Sequence, residues 1–209
     1  MTESEARGAL DVPRETLERL DRFVAFLAEE NERQNLVSRG SLEHLWTRHV
    51  YDSAQLTRFA PAEATEWLDL GSGAGFPGLI VALLHPARVT LVEARKLRAE
   101  FLRRAANALE VADKVEVVCA KVESLAPRAF DVISARAFAP LGRLLALGAP
   151  FSDARTIWIL PKGRNAKSEL EAARSSWQGD FSLEPSLTDA EAGIVVARGV
   201  SRRKPKGKR

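Results

Sequence analysis

The strongest constraint in this chain is residues 67–78: Trp67-Leu68-Asp69-Leu70-Gly71-Ser72-Gly73-Ala74-Gly75-Phe76-Pro77-Gly78. An apolar run of strand length empties into a loop with glycine at every second position. An apolar run suited to a helix follows, Leu79 to Leu84. Strand, glycine loop and helix, in that order, bring bare backbone against a ligand. Glycine has no Cβ to hold a ligand off, and it tolerates positive φ. The amides that open the helix are then expected to face the ligand.

A second residue narrows the ligand. The next strand-like run, Val89-Thr90-Leu91-Val92, ends in Glu93, 20 residues after Gly73. In nucleotide-binding βαβ units an acid near this spacing accepts hydrogen bonds from ribose hydroxyls. The glycines fit two registers. Gly73, Gly75 and Gly78 match the dinucleotide fingerprint G-x-G-x-x-G. Asp69 followed by Gly71, Gly73 and Gly75 matches the D-x-G-x-G-x-G form that resembles class I S-adenosylmethionine (SAM) methyltransferases. SAM is the better reading. Asp69 and Gly71 lie at the strand end, and Pro77 has no N–H for a pyrophosphate. A glycine turn without a ligand leaves Glu93 unexplained.

Two helices are expected before the loop. One runs from about Pro13 to Gln34, with Leu17, Leu20, Val24 and Leu27 on one face. The other runs from about Ser41, a suitable N-cap, to Arg58. After Pro61 the pattern predicts strands at 66–70, 88–93, 115–119, 130–134 and 156–160, and helices at 77–85, 95–109, 138–148 and 165–176. This alternation implies a parallel sheet covered on both faces. Residues 181–187 and 193–200 have no helix between them and predict an antiparallel closing hairpin. The expected fold class is therefore α/β: a Rossmann-like, mostly parallel sheet of the class I methyltransferase layout with a terminal hairpin, preceded by helices. The expected division is a helical extension at 1–60, a SAM-binding core at 61–200 and a basic, disordered tail at 201–209. Ligands in such sheets gather at the C-terminal strand ends. Gly71, Glu93, Val122-Glu123 and Arg136 all follow predicted strands.

The charge is unevenly placed. Arg198 to Arg209 hold seven basic residues and no acid; without them the 31 basic residues drop to 24 against 28 acids, a net of −4. A phosphate-binding arm containing Arg202, Arg203 and Lys204 is one reading, and a solubilising tail the other. The single cysteine, Cys119, excludes a disulfide framework and is expected to be buried and inert at a strand end. No apolar run reaches the ~18 residues of a membrane span. The acidic N-terminus lacks a signal segment. A cytoplasmic, monomeric protein with no membrane partner is the simplest expectation. His44, His49 and His85 are scattered, so no metal site is expected.

Several separate pieces together resemble one family. They are Asn35-Leu36-Val37-Ser38, Arg48-His49-Val50-Tyr51-Asp52-Ser53, the whole glycine loop through Phe76-Pro77-Gly78, Lys96 with Phe101-Leu102, Val122-Glu123, Ser134-Ala135-Arg136-Ala137-Phe138, and Pro161-Lys162-Gly163. The chain resembles the bacterial 16S ribosomal RNA guanine-N7 methyltransferases, the RsmG or glucose-inhibited division protein B family. The resemblance implies that SAM is the cofactor and that 16S ribosomal RNA, free or in a small-subunit particle, is the partner. It also implies that Gly71 and Phe76 line the SAM pocket beside Gly73, with Glu93 at the ribose and Val122 and Glu123 at the adenine. Arg136 would lie near the methionine end and the incoming base, as the candidate catalytic residue. Arg48 and His49 would wall the RNA side. Where the family shows Ser-Arg-Ala, this chain inserts Ala135 between Ser134 and Arg136.

Guanine N7 carries a free in-plane lone pair, so no proton need leave before attack. Alignment alone can then supply ~7–11 kcal/mol. Arg136 could instead pair structurally with an acid such as Asp131. Lys162 reads as a phosphate contact or a plain surface lysine. Arg48 with Asp52, and His49 with Ser53, are i,i+4 neighbours and could form a local network. Two other functions remain open on the sequence: a dinucleotide-dependent oxidoreductase, and a non-catalytic RNA-binding assembly factor on the same fold.

Overall fold

A computed structural model describes residues 1–204. Its centre is a seven-stranded sheet of order β3-β2-β1-β4-β5-β7-β6. The strands are β1 Glu66–Leu70, β2 Arg88–Val92, β3 Val115–Val118, β4 Val132–Ser134, β5 Ile157–Lys162, β6 Trp177–Pro185 and β7 Gly193–Arg202. The first five are parallel; β7 is antiparallel to β5 and β6 to β7. The chain order reverses between β1 and β4, so the switch point lies where the glycine loop leaves β1.

Alternation along the strands feeds two cores. Trp67 and Ile159 face one layer, Leu68, Leu70, Trp158 and Leu160 the other. Among the described residues, seven α-helices of four residues or more flank the sheet, beginning with α1 Glu3–Gly8, α2 Arg14–Asn31 and the short α3 Arg39–Leu42. Next come α4 Gly78–Leu84, α5 Lys96–Ala108, α6 Leu141–Gly148 and α7 Ala166–Ala173. Helix α2 packs on α5, with Phe26 stacked on Phe101 at 5.4 Å, and fully buries Leu20, Phe23 and Leu27. Full burial of each such side chain is worth about 1.5–3 kcal/mol, which makes this contact a substantial anchor. Among the described residues no helix is long and apolar enough to cross a membrane.

Several element boundaries differ from the pattern. The helix α1, held by a capping box between Thr2 and Glu5, was not expected. Helix α2 stops at Asn31 because the Asn31 side chain accepts the N–H groups of Leu36 and Val37 at 2.8 Å and turns the chain. The single helix expected at 41–58 is broken. It comprises α3, a π-helical turn over Trp46–Tyr51, one α-turn at Asp52–Ala54 and a 3₁₀ segment Gln55–Phe59. The Glu3 carboxylate accepts the N–H groups of Trp46 and Thr47 and the Thr47 hydroxyl. The helix expected at 165–176 is shorter, and Trp177 already starts β6. Residues 201 and 202 lie inside β7, and the Arg203 N–H donates to Ser176 O at 2.9 Å, so the expected tail does not begin at 201. The rest of that tail, 205–209, lies outside the described residues.

Candidate active site

The site begins at the end of β1. Asp69 is fully buried on the α4 side. Its Oδ1 accepts the Ser134 hydroxyl at 2.7 Å, and Ser134 Oγ also accepts Trp67 Nε1–H at 2.9 Å, which ties β1 to β4. Burial raises the Asp69 pKa to about 6. The loop then turns through Gly71 and Gly73, both at positive φ (70° and 54°), conformations that cost a residue bearing a Cβ. Several of its amides are spent within the protein. Gly71 and Ser72 donate to Val92 O, Gly75 to Ser72 O and Leu79 to Gly75 O. This corrects the expectation of open amides at the helix start, and it leaves those groups unavailable to a pyrophosphate.

Glu93 directly follows β2 and is buried. Its Oε2 accepts the Gly73 N–H at 3.1 Å and its Oε1 the Arg95 N–H at 2.8 Å. The 20-residue spacing seen in the sequence is thus a direct contact. A carboxylate has about four lone-pair positions, so two are left for other donors.

Two cavities lie along this edge of the sheet. One, of about 580 Å³, is lined by Gly71, Glu93, Val122, Glu123, Arg98 and Phe138, among others. The second, of about 820 Å³, is lined by Arg48, Asp52, Arg136, Lys162, Pro161 and Thr188, among others. Both are within the ~300–1,000 Å³ range of small-molecule sites. They meet along Ala137, Phe138 and Ala139, which line both.

Arg136 sits behind the second cavity with its side chain 19% exposed. Its Nη1 donates to Arg48 O at 2.9 Å and lies 3.4 Å from Asp52 Oδ2. Its Nη2 lies 2.6 Å from His49 Nδ1. Burial, then the charges of Arg136 and Arg48, lower the His49 pKa to about 3. His49 is therefore neutral, and its Nδ1 accepts from the guanidinium. Beneath them lies Phe76, with the His49 ring stacked at 5.0 Å and the Arg136 guanidinium 5.2 Å from its centroid. The structural acid for Arg136 is Asp52, not Asp131, whose carboxylate instead accepts the N–H groups of Thr65 and Glu66. The inserted Ala135 is absorbed by burial in the same core layer as Leu68 and Trp158.

The expected residues thus separate into groups. Gly71, Glu93, Val122 and Glu123 share the first cavity, and Arg48, Arg136 and Lys162 the second. Gly73, Phe76 and His49 line neither; they brace residues that do. The Lys162 ammonium donates to Ala139 O at 2.8 Å and pairs with Glu169 at 3.0 Å, so it holds the shared segment instead of standing free for a phosphate. Arg202, Arg203 and Lys204 are elsewhere. Gly193 pairs with Lys162 and Arg198 with Ile157, so β7 runs past the start of β5, at the opposite end from Lys162. Cys119 is exposed, against expectation, because β3 is an edge strand and ends at Val118. Sequence reasoning gave no site role to Phe138, Gln55 or Thr188. Gln55 reaches Asp52 from three residues along the chain at 2.9 Å, and Thr188 meets it only through the fold, at 2.8 Å.

The GidB family, described as rRNA small subunit methyltransferase G, matches residues 16–193. The chain belongs to this family. A relative from Rhizorhabdus wittichii named ribosomal RNA small subunit methyltransferase G is 52% identical, over 100% of this chain and 96% of its own. Relatives of the same name from Novosphingobium aromaticivorans and Zymomonas mobilis are 50% and 48% identical, covering 98% and 99% of this chain and 92% and 98% of their own. Solved structures share the fold. A Bacillus cereus O-methyltransferase in complex with SAH superposes with a TM-score of 0.62 at 14% identity, covering 94% of this chain and 96% of its own. A cofactor-bound protein from MTB gives 0.65 at 15%, covering 94% and 95%. The rRNA small subunit methyltransferase G member described here thus has the class I methyltransferase fold.

Proposed function

We propose that the chain methylates N7 of a guanine in 16S ribosomal RNA, with SAM as methyl donor. Family membership supports small-subunit ribosomal RNA as the substrate. The observation that carries the cofactor reading is the Glu93–Gly73 contact, whose carboxylate lines the smaller cavity. A Cβ built at Gly73 has only Gly71 O and Arg98 Nη1 within 4 Å, at 3.8 and 4.0 Å, so bare backbone stands beside a half-used carboxylate. That pairing fits a ribose. Val122 offers an apolar wall and Glu123 a carboxylate at the adenine end, and Arg136 a buried cation toward a carboxylate.

SAM, when bound there, supplies an electrophilic methyl on a sulfonium. The protein's part is placement. Glu93 would orient the ribose through its free lone pairs. Arg136, held by Arg48 O, His49 and Asp52, would fix the far end and face the larger cavity. No residue need remove a proton, because the N7 lone pair is already free. The larger cavity opens where the parallel strands end, beside the first, and its lining mixes Arg48, Arg136 and Asp52 with Pro161. A purine edge can be read by such groups.

Titration calorimetry with SAM tests the first half: micromolar binding is expected, and no heat at high micromolar SAM rejects it. For the second half, undermethylated small-subunit RNA or particles should take up one methyl group. The product should break at the modified guanine under borohydride and aniline. A methyl group found at another atom would reject the N7 assignment.

A further inference from the structure

Methyl transfer needs its two partners to meet, and the two cavities meet at residues 137–139. Of these, only Phe138 carries a side chain beyond Cβ. We infer that Phe138 is the stacking surface that holds the plane of the target purine. The inference rests on the methyl-transfer reading above and deepens it.

Four observations support it. First, Phe138 is 37% exposed. The other exposed large apolar residues among those described, Met1, Leu97, Leu183 and Leu187, are aliphatic, and none lines either cavity. Second, the ring is backed by Gly71: a Cβ built there would fall 2.3 Å from Phe138 Cδ2. A bare glycine surface lets the ring lie against the loop. Third, the backbone is held in place at both sides. Arg136 is tied to Arg48 O and His49, and Ala139 O accepts from Lys162. Fourth, Ala137 between them has φ of 51°, an unfavourable conformation for alanine. A strained residue on a doubly anchored segment, presenting an aromatic ring to solvent, is a costly way to fill space.

The chemistry asks for such a ring. The N7 lone pair lies in the purine plane, so attack in line with the breaking sulfur–carbon bond requires the plane itself to be fixed. Edge contacts from Arg48 or Arg136 restrict rotation within the plane but not tilt. A π face restricts tilt. The carbon–nitrogen bond forms as the sulfur–carbon bond breaks; its electron pair stays on sulfur, which loses its positive charge to the ring.

The test uses the full-length protein, SAM and undermethylated small-subunit RNA. Phe138→Leu keeps apolar bulk against Gly71 and removes the π face; Phe138→Tyr keeps both. Loss of one base–aromatic stack should lower kcat/KM for RNA in Phe138→Leu by roughly 5- to 150-fold, with Phe138→Tyr close to the parent. Phe138 also lines the cofactor cavity, so SAM affinity by calorimetry should shift in the variants far less than kcat/KM for RNA does. If Phe138→Leu turns over RNA like the parent, the inference is wrong and the methyl-transfer reading stands. If SAM affinity falls as far as turnover, the ring belongs to the cofactor side and the inference is again overturned. If the parent binds SAM but methylates no RNA, the function reading itself fails and takes the inference with it.

Discussion

At the scale of single residues, His49 and Asp69 pull stability in opposite directions as pH changes. Folding holds His49 near pKa 3, well below its ordinary 6.5, so its contribution is whole above pH 6.5 and is lost as pH falls toward 3. Folding raises Asp69 from 3.8 to about 6, so its contribution is whole below pH 3.8 and is lost as pH rises through 6. In the parent the two partly cancel between pH 4 and 6. His49→Gln removes one arm. Its urea midpoint should then fall as pH rises across that interval, by about 2 kcal/mol in stability, whereas the parent changes less. A variant as flat as the parent would mean that Asp69 is not buried in a low-dielectric setting. Glu93 was legible in the sequence because its meaning depends on spacing from Gly73, and that spacing became a hydrogen bond. Phe138 was not, because its position depends on a left-handed alanine and a glycine 67 residues away.

Between elements, the N-terminal segment is latched to the β6–β7 loop through Gln55. Its Nε2 donates to Asp52 Oδ1 at 2.9 Å and to Ser186 Oγ at 3.2 Å, and its Oε1 accepts the Leu187 N–H at 2.9 Å. Gln55 is buried, so its loss strands the Leu187 amide. Gln55→Ala should cost about 1–3 kcal/mol in urea unfolding and loosen one wall of the larger cavity. An unchanged midpoint would show that the loop finds other partners. The strands and the helix after the glycine loop were readable from periodicity, since parallel strands covered on both faces need long apolar runs. The 41–58 region was not. Its apolar side suggested one helix, but Glu3 captures the amides of Trp46 and Thr47 from 43 and 44 residues away. No local pattern encodes that bond.

For the molecule as a whole, charge is the useful coordinate. The net of +3 comes from the C-terminal end, while the cavities are rimmed by a separate set including Arg48, Arg95, Arg98 and Arg143. The antiparallel run of β7 places Arg202 away from the Lys162 end. If both regions touch RNA, replacing Arg202, Arg203 and Lys204 with Gln should reduce the slope of log affinity against log salt by about 2, and leave SAM affinity unaltered. An equal slope would place all phosphate contacts on the cavity side. The sequence made the tail's charge plain, but only the strand register showed where Arg202 lies.

The exposed Cys119 is the sole thiol, one residue before Ala120, where the wall of the smaller cavity begins. A single maleimide fluorophore would therefore attach at one known place, on the doorstep of Glu123. Its emission offers a continuous optical readout of occupancy without radiolabel or a second mutation.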